Sequence, residues 1–267
     1  MPLSNELFQW LDKGWYEPEI SSIKTDLHKL PNLPGIYAVY IPNQPILYLY
    51  IGMTTETIYK RWTGYKQGHH QYEDLILLEE QGVSFSLKCW VFPPESLLDL
   101  NKKDYGKSLK DYGKSLKDIL SIIEKQLIYN LSPLLNKQHN NNPNVEYDDW
   151  ALWIINYLEK QSTRKPIDLY RLDVEIYNVP KKPGIYIINS GSNISKSTVI
   201  YAGYAENINE SLSKNRDGIV QQINKNIQIL DNPPFIYYIG MPENTDIKIL
   251  ERIAKAINML SSKLDRR

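Results

Sequence analysis

Five side chains in the first half of the chain are of the types that phosphodiester hydrolysis needs: Tyr37, Tyr50, Arg61, His70 and Glu124. Breaking a phosphodiester bond requires activation of water, a cation beside the transferring phosphate, and help for the departing 3′ oxygen. A guanidinium fork suits phosphate oxygens and cannot lose its proton. A phenol or an imidazole can hold or deprotonate a water molecule. The set therefore predicts direct attack of water on phosphorus.

Glu124 is the predicted metal ligand. It lies in the apolar stretch LSIIEKQLIY, where a lone acid is costly to bury unless it is ligated or paired. A carboxylate that holds one Mg²⁺ (or Mn²⁺) would assist the leaving oxygen, because Mg²⁺ takes few protein oxygens and keeps several waters. The histidines, at 28, 69, 70 and 139, show no zinc spacing.

Each of these residues also has an ordinary structural explanation. Tyrosines on strands commonly serve packing, and this chain has 20 tyrosines. Gly35 after Pro34 fits turn chemistry, and the GHH at 68–70 fits a helix boundary. The chemical hypothesis therefore depends on the ordered set and not on any single member.

The elements that must position this set occur twice. The segments GIYAVYIPNQPILYLYIGMT (35–54) and GIYIINSGSNISKSTVIYAGY (184–204) each read as two short strands joined by a turn. Each segment begins within Pro-x-x-Pro-Gly-Ile-Tyr, and each is followed by a further strand and a helical stretch. The sequence therefore predicts a tandem duplication, with the Asn/Pro-rich HNNNPNVE near 140–146 as the linker.

Each unit is predicted to be a three-stranded antiparallel sheet flanked by helices, which is an α+β fold. The predicted domains are 1–143, with an N-terminal helix and an extended C-terminal helix, and 144–267. In the first unit the predicted strands and helices are strands 35–41, 46–52 and 84–92, and helices 56–67, 70–80 and 97–130.

The first unit resembles the GIY-YIG nucleases, which include phage homing endonucleases, some type II restriction enzymes and the incision domain of bacterial nucleotide-excision-repair nucleases. The resemblance covers 34–137, and 183–265 more weakly. It implies a DNA endonuclease that hydrolyses phosphodiester bonds with a single divalent metal. The residues that carry it, in chain order, are Gly35-Ile36-Tyr37, Tyr50-Ile51-Gly52, Arg61, His69 or His70, Glu124 and Asn136.

The resemblance leaves the general base open. Family mechanisms propose either a tyrosine phenolate or a histidine, so Tyr37, Tyr50 and His70 are alternatives for arranging or activating the water. A tyrosine with an ordinary pKa of about 10 needs help from the metal or from Arg61 near neutral pH, whereas a histidine needs none. Some relatives carry Lys directly after YIG, but this chain has Met53, which removes one candidate cation.

Three further residues are expected around the phosphate and the metal ligand. Tyr65 stands four residues after Arg61, where relatives have His or Tyr, and is expected at the scissile phosphate together with His69. Asn136, in PLLN, is expected to organise Glu124 and the end of its helix.

The second unit lacks part of this set and is predicted not to cut. Arg61 comes nine residues after Gly52, but the residue nine after Gly203 is Leu212, and no His follows before the third strand. PLLN has become SKLD. Without a cation or an imidazole, charge in the transition state is left uncompensated. Either a structural role or an enlarged DNA-binding surface would explain the copy. It retains two tyrosines and one acid, Tyr186, Tyr201 and Glu251.

Composition limits the partners. Thirty-one basic residues balance 31 acidic ones, so binding to nucleic acid must depend on local patches. The first twenty residues mix charged and apolar types, which is not a signal-peptide pattern, and no apolar run is long enough for a membrane span. Cys89 is the sole cysteine, which favours a reducing compartment. A cytoplasmic protein without a membrane partner is expected.

DNA is the expected partner. Because one site cuts one strand, cleavage of a duplex requires a homodimer or two sequential nicks. The alternative function is a catalytically inactive DNA-binding or protein-interaction protein that retains the fold. A third hypothesis is a structural module assembled through the heptad-like stripe of the repeated DYGKSLK at 104–117.

Overall fold

The computed structural model contains two compact units, Met1–Val145 and Glu146–Arg267. Each unit has its own antiparallel sheet with helices, which confirms the predicted α+β class. Within the described part of the chain, no helix combines the length and the apolar composition needed to cross a bilayer. The described residues are 14–18, 20, 22, 25–65, 70–91, 116–136, 138–140, 142–161, 166–226, 233–243 and 245–262.

The first unit is built on a three-stranded sheet with the order β2-β1-β3. All residues of the central strand, β1, are buried, because helices cover the sheet on both sides of it. The elements, with a short 3₁₀ helix at Asp26–Lys29, are β1 (Gly35–Ile41), β2 (Leu47–Thr54), α1 (Ile58–Tyr65), α2 (His70–Glu80), β3 (Ser86–Val91) and α3 (Leu116–Leu131).

A main core of the first unit lies between the sheet and α3. Apolar residues recur every three or four positions along α3 and so form one face of the helix. These helix residues are Leu120, Ile123, Leu127 and Ile128. Their partners alternate along the strands and are Ile36, Ala38, Ile51 and Trp90.

Several predicted boundaries in this unit differ from the structure, including the start of β3 at Ser86 instead of 84, and two of the differences have identifiable reasons. Helix α1 begins at Ile58 and not at 56, because the Thr57 hydroxyl accepts a hydrogen bond from the Lys60 N–H at 3.0 Å and caps the helix. Strand β2 continues to Thr54, past the predicted end at 52, since its last residues pair with the start of β1. The predicted helix 97–130 is seen as α3, and 97–115, with most of the DYGKSLK repeat, lies outside the described residues.

The second unit has a four-stranded sheet with the order β4-β7-β5-β6, not the predicted three strands. The additional strand, β4, has only two residues, which is too short for any alternation to reveal it in the sequence. The elements, with short 3₁₀ helices at Leu169–Arg171 and Ile176–Asn178, are α4 (Asp148–Lys160), β4 (Ile167–Asp168), α5 (Leu172–Glu175), β5 (Gly184–Ser190), β6 (Val199–Ala205), α6 (Ile208–Asn226), β7 (Pro234–Gly240) and α7 (Ile247–Ser262).

The two sheets share their strand connectivity and register. The order β2-β1-β3 recurs as β6-β5-β7. The pairing of the first two strands shifts between Val39 and Tyr40 in one unit and between Ile188 and Asn189 in the other. Both central strands therefore have the same local irregularity five positions into the strand.

Candidate active site

Tyr37 and Gly52 face each other across β1 and β2. A β-carbon on Gly52 would lie 2.5 Å from the Tyr37 hydroxyl oxygen and 2.6 Å from its Cζ, closer than any side chain tolerates. The phenol therefore lies directly over the glycine. Tyr37 exposes no surface to solvent. Gly52, in Tyr50-Ile51-Gly52, thus leaves the space that Tyr37, in Gly35-Ile36-Tyr37, occupies.

The two predicted phenols pack together on this side of the sheet. The rings of Tyr37 and Tyr50 are 6.1 Å apart between centroids, and the Trp62 ring meets Tyr37 edge-on at 5.4 Å. Tyr37 is enclosed, whereas Tyr50 is only partly buried. Of the two phenols, Tyr50 is therefore the one that solvent reaches.

Arg61 is presented by the first turn of α1. Its backbone N–H donates to the Thr57 carbonyl at 2.9 Å, and the next residue, Trp62, is buried beneath the helix. The Arg61 side chain is exposed. Its positive charge lowers the pKa of Glu124, so the guanidinium acts on that carboxylate although the two residues are far apart in sequence.

Glu124 has an environment unlike that of a surface acid. Burial raises its pKa to about 7, against an ordinary value of 4.5. A hydrogen bond from the Met53 backbone and the charges of Arg61 and Lys125 oppose this rise without cancelling it. The carboxylate is therefore held at the edge of β2 by a main-chain donor, in surroundings that favour a cation.

Asn136 binds the same strand edge. Its amide oxygen accepts a hydrogen bond from the Ile51 N–H at 2.9 Å, and its amide nitrogen donates to the Ile51 carbonyl at 2.8 Å. The preceding residue, Leu135, donates its N–H to the Leu49 carbonyl at 2.8 Å. Asn136 therefore fixes the backbone of β2, and Met53 on that strand supplies the bond to Glu124. That Asn136 organises Glu124 and the end of its helix stays a prediction.

Three predicted site residues lie around a segment that the structure does not describe. Tyr65 ends α1 and His70 begins α2. His69, within 66–69, lies outside the described residues, as do the side chains of Tyr65 and His70. Their contacts with a phosphate or a water stay predictions.

The donor set fits a magnesium ion held by one carboxylate. Within the described residues, no group of three or more His, Cys, Asp or Glu side chains could hold a metal. Mg²⁺ does not require such a group, because it commonly takes one or two carboxylates and completes its shell with water and substrate phosphates. Glu124 would hold the ion, since a nearby cation stabilises the ionised form of a buried carboxylate.

The second unit repeats the packing of tyrosine on glycine. Tyr186 faces Gly203, and a β-carbon on Gly203 would lie 2.3 Å from the Tyr186 Cζ. The Tyr186 and Tyr201 rings are 6.3 Å apart between centroids. Burial, and then the nearby Tyr201, raise the pKa of Tyr186 to about 12.

Ser211, and not Leu212, occupies the position equivalent to Arg61. The Asn207 side chain accepts a hydrogen bond from the third N–H of α6 at 3.1 Å, as the Thr57 hydroxyl does in α1 at 3.0 Å. Counting four residues from each cap reaches Arg61 in one unit and Ser211 in the other. Counting from the glycine misaligns them, because the connection from strand to helix is one residue shorter in the second unit.

The neighbours of Ser211 support this equivalence. Leu212 is buried, as is Trp62, which follows Arg61. Ser211 forms a hydrogen bond with the Tyr186 phenol. Where the first unit has the cationic Arg61, the second unit thus has the neutral hydroxyl of Ser211, which binds the buried Tyr186.

Glu251 differs from Glu124 in its surroundings. It pairs with Lys255, one helical turn further on, at 2.7 Å. That hydrogen bond and charge, helped by the Tyr204 phenol, lower its pKa. Glu251 is therefore an ionised carboxylate that already has a cationic partner, whereas Glu124 is a buried carboxylate with a raised pKa.

Comparison of the two repeats within the sequence did not identify Asn258. Its amide accepts from the Ala202 N–H at 2.7 Å and donates to the Ala202 carbonyl at 2.9 Å, repeating the bonds of Asn136 to Ile51. Residues 263–265 of SKLD lie outside the described residues, so its pairing with PLLN stays a prediction. Asn258 lies within α7, where Asn is intrinsically unfavourable, and that anomaly was the available signal.

No protein-family model matches this chain, and comparison with the curated proteins and with the solved structures gives no match.

Proposed function

We propose that the first unit is a DNA endonuclease that hydrolyses phosphodiester bonds with a single divalent metal. The observation that carries this proposal is the state of Glu124: a largely buried carboxylate at a sheet edge, held by the Met53 backbone and within the field of Arg61. A carboxyl group with a strongly raised pKa beside a specific cation is a typical sign of a functional site.

Glu124 would hold the metal in this reaction. When bound, Mg²⁺ supplies charge neutralisation at the phosphate and at the departing 3′ oxygen. Arg61, exposed on α1, binds the non-bridging phosphate oxygens through its planar fork. The two residues therefore act on the same phosphate from different elements.

Tyr50 is the favoured phenol for positioning the attacking water, because it is only partly buried. Tyr37 serves to orient it, since the two rings are in contact and Tyr37 has no exposed surface. His70 stays the alternative base. Tyr65 and His69 are assigned to the phosphate on the resemblance to GIY-YIG nucleases alone.

The second unit is proposed to be a duplicated copy that no longer cuts. The shared strand order, the tyrosine-on-glycine contacts and the Asn258 bonds support duplication. Ser211 in place of Arg61, and the pairing of Glu251 with Lys255, support loss of hydrolysis. A single active site per chain then cuts both strands of a duplex as a homodimer or in two nicks.

Supercoiled plasmid tests the proposal. The purified full chain is incubated with the plasmid and Mg²⁺ or EDTA, beside the variants Glu124→Gln and Arg61→Ala, and nicked DNA is measured on a gel. Metal-dependent nicking that both variants lose is expected, with a loss of at least 100-fold for a group that stabilises the transition state. Glu251→Gln is the matched control and should nick at the wild-type rate.

Equal nicking by all four proteins would remove Glu124 and Arg61 from the chemistry and leave a contaminating nuclease as the source. No nicking by the wild type with Mg²⁺ or Mn²⁺, while DNA binding persists, would favour the non-catalytic DNA-binding alternative.

A further inference from the structure

A small pocket of about 140 Å³ lies in the first unit, between the end of α2 and the chain that leads into the 3₁₀ helix at Asp26–Lys29. We call it the Glu79 pocket. Its far side leads into β3, which is the edge strand opposite β2 and its candidate active site. Besides Glu79, its lining residues are Ile20, Ser22, Gly82, Val83, Ser84 and Phe85.

One carboxylate oxygen of the Glu79 pocket lacks a hydrogen-bond donor. Oε2 of Glu79 is enclosed, and no donor of the described residues reaches it. An enclosed acceptor that has given up water without gaining a donor costs folding free energy, and the cost is larger for a charged group. Such an atom in a native protein requires an explanation, and a ligand that brings the missing donor is one.

The charges around Glu79 favour a positive ligand. Glu79 lies in the last turn of α2, which ends in two glutamates and has no basic residue there. The C-terminal end of a helix carries partial negative charge, so acids in this turn are unfavourable and a cation is favoured. None of the residues that line the pocket is basic. The lining itself therefore supplies no counter-charge.

The turn after α2 fixes the wall of the Glu79 pocket. Gly82 has a φ of 86°, which glycine adopts readily, and its N–H donates to the Glu79 carbonyl at 2.9 Å. The Val83 N–H donates to the Leu78 carbonyl at 3.0 Å, which closes the end of the helix. Gly82 and Ser84 are exposed, so a ligand can enter from solvent.

The remaining lining favours an alkylammonium over a metal ion. The hydroxyls of Ser22 and Ser84 can accept N–H donors, and the Phe85 ring is of the kind that attracts an ammonium. Ile20 and Val83 suit an alkyl chain. A hydrated metal ion would have to shed water beside these apolar groups, which Mg²⁺ does reluctantly. The pocket also has far more room than one water needs.

We propose that the Glu79 pocket binds a primary ammonium group on a short alkyl chain, with an N–H donor on Oε2 of Glu79 and the chain against the apolar part of the lining. This inference is independent of hydrolysis at the β2 edge. A free alkylamine and the side chain of a lysine in a peptide both carry this group, and the experiment separates them.

Two-dimensional NMR spectra of the full chain measure binding, with the amides of Gly82, Val83 and Ser84 as reporters. The probes are n-butylammonium chloride, neutral n-butanol and tetramethylammonium chloride, at equal ionic strength and pH. Butylammonium should shift the reporters and saturate. The other two should bind about tenfold more weakly or worse, because butanol lacks the charge and tetramethylammonium lacks N–H donors. This comparison uses the wild-type protein and so does not depend on the folding of a variant.

Two variants locate the site. Glu79→Gln keeps the shape of the side chain but removes its charge, and it should weaken binding of butylammonium about tenfold or more. Glu73→Gln removes an exposed carboxylate of the same helix that lies outside the pocket, and it should leave the affinity unchanged.

Nα-acetyl-lysine methylamide identifies the source of the ammonium group. Binding as tight as that of butylammonium would support the proposal with a lysine side chain as the ligand. If butylammonium binds and the blocked lysine does not, the proposal holds with a free amine as the ligand.

No shift with butylammonium, equal shifts with all three probes, or binding that persists in Glu79→Gln would overturn the inference. Saturation of the same reporters by MgCl₂ or NaCl at equal ionic strength would also overturn it, because a metal ion brings no N–H donor. Failure here leaves the proposed function standing, since nicking depends on Glu124 and Arg61. Loss of the nuclease proposal would equally leave the Glu79 pocket in place.

Discussion

The phenol of Tyr37 occupies the space that a side chain at position 52 would need, 2.5 Å from where its β-carbon would start. The same relationship joins Tyr186 to Gly203 in the second unit. A slip of one residue would bring Ile51 or Met53 opposite the ring and turn every side chain of β2 to the other face. The contact therefore fixes the register on which the site depends.

Gly52→Ala should destabilise the first unit by about 1–3 kcal/mol, the usual cost of overpacking a rigid core. The ring of Tyr37 is enclosed by Trp62 and the sheet and cannot move away without disturbing Tyr50. Urea unfolding monitored by tryptophan fluorescence measures the loss. A double variant with Tyr37→Leu should recover part of it, because the two changes share one contact.

Gly64→Ala is the matched control for the loss at Gly52. Gly64 lies within α1, and a β-carbon there would meet no atom of the described residues within 4 Å. Since Ala favours a helix over Gly by about 1 kcal/mol, the variant should be slightly more stable than the wild type. If Gly64→Ala also lost stability, the loss in Gly52→Ala could not be assigned to the contact with Tyr37.

Glu124 should make stability depend on pH. Its folded pKa, about 7, is above the ordinary 4.5. Below pH 4.5 the carboxyl is neutral in both states and its contribution to stability is fully present. As the pH rises through 7 the buried group must ionise, and about 3 kcal/mol is lost. Glu124→Gln, which stays neutral, should therefore be more stable than the wild type at pH 8, by up to that amount, and equal to it at pH 4.

The difference between the two unfolding free energies, measured in urea from pH 4 to 8, checks this prediction. Glu251→Gln, in which the lost carboxylate is paired with Lys255, should show no such gain at pH 8. Mg²⁺ should stabilise the wild type at pH 8 and leave Glu124→Gln unchanged, because binding to the native state alone raises stability. A Glu124→Gln protein that is less stable at pH 8 would contradict the raised pKa.

The two hairpins and the pairing of their strands were predictable, because the alternation of residue types and the residues at the strand ends point to the same strands. Strand alternation and the Gly and Pro residues at the strand ends indicate β1 and β2. The predicted residues Tyr50, Glu124 and Asn136 then lie on β2 or bond to its backbone. Glu124 was recognisable as an acid in an apolar helix. Its pairing with Met53 was not, because that bond uses the main chain, which carries no sequence signal.

The equivalences in the second unit were harder to predict. Because the connection from strand to helix is one residue shorter, the counterpart of Arg61 is Ser211 and not Leu212, and the helix cap at Asn207 and the burial of Leu212 reveal the shift. Asn258 makes the same kind of bonds as Asn136, but it reaches its strand from within a helix and not from a loop. Residue spacing cannot reveal that the same pair of hydrogen bonds comes from a loop in one unit and from a helix in the other.

Hydrogen exchange at single amides can distinguish the effect of the Asn136 bonds from that of the Asn258 bonds. Asn136→Ala leaves the N–H and carbonyl of Ile51 without their partner, and each lost bond at a buried group costs about 1–3 kcal/mol. The Ile51 amide should exchange its hydrogen faster, and nicking should fall because the strand edge that carries Met53 loosens. Asn258→Ala should speed exchange at Ala202 and leave nicking unchanged.

Asn130→Ala controls for the loss of an amide as such. Asn130 is exposed and accepts a hydrogen bond from Gln126 at 3.2 Å, so its removal should alter stability by less than about 0.5 kcal/mol. Hydrogen exchange resolved at single amides provides the measurement. If Asn136→Ala slowed nicking while exchange at Ile51 stayed at the wild-type rate, Asn136 would have to act on the substrate itself and not through β2, and its assignment to the strand edge would be wrong.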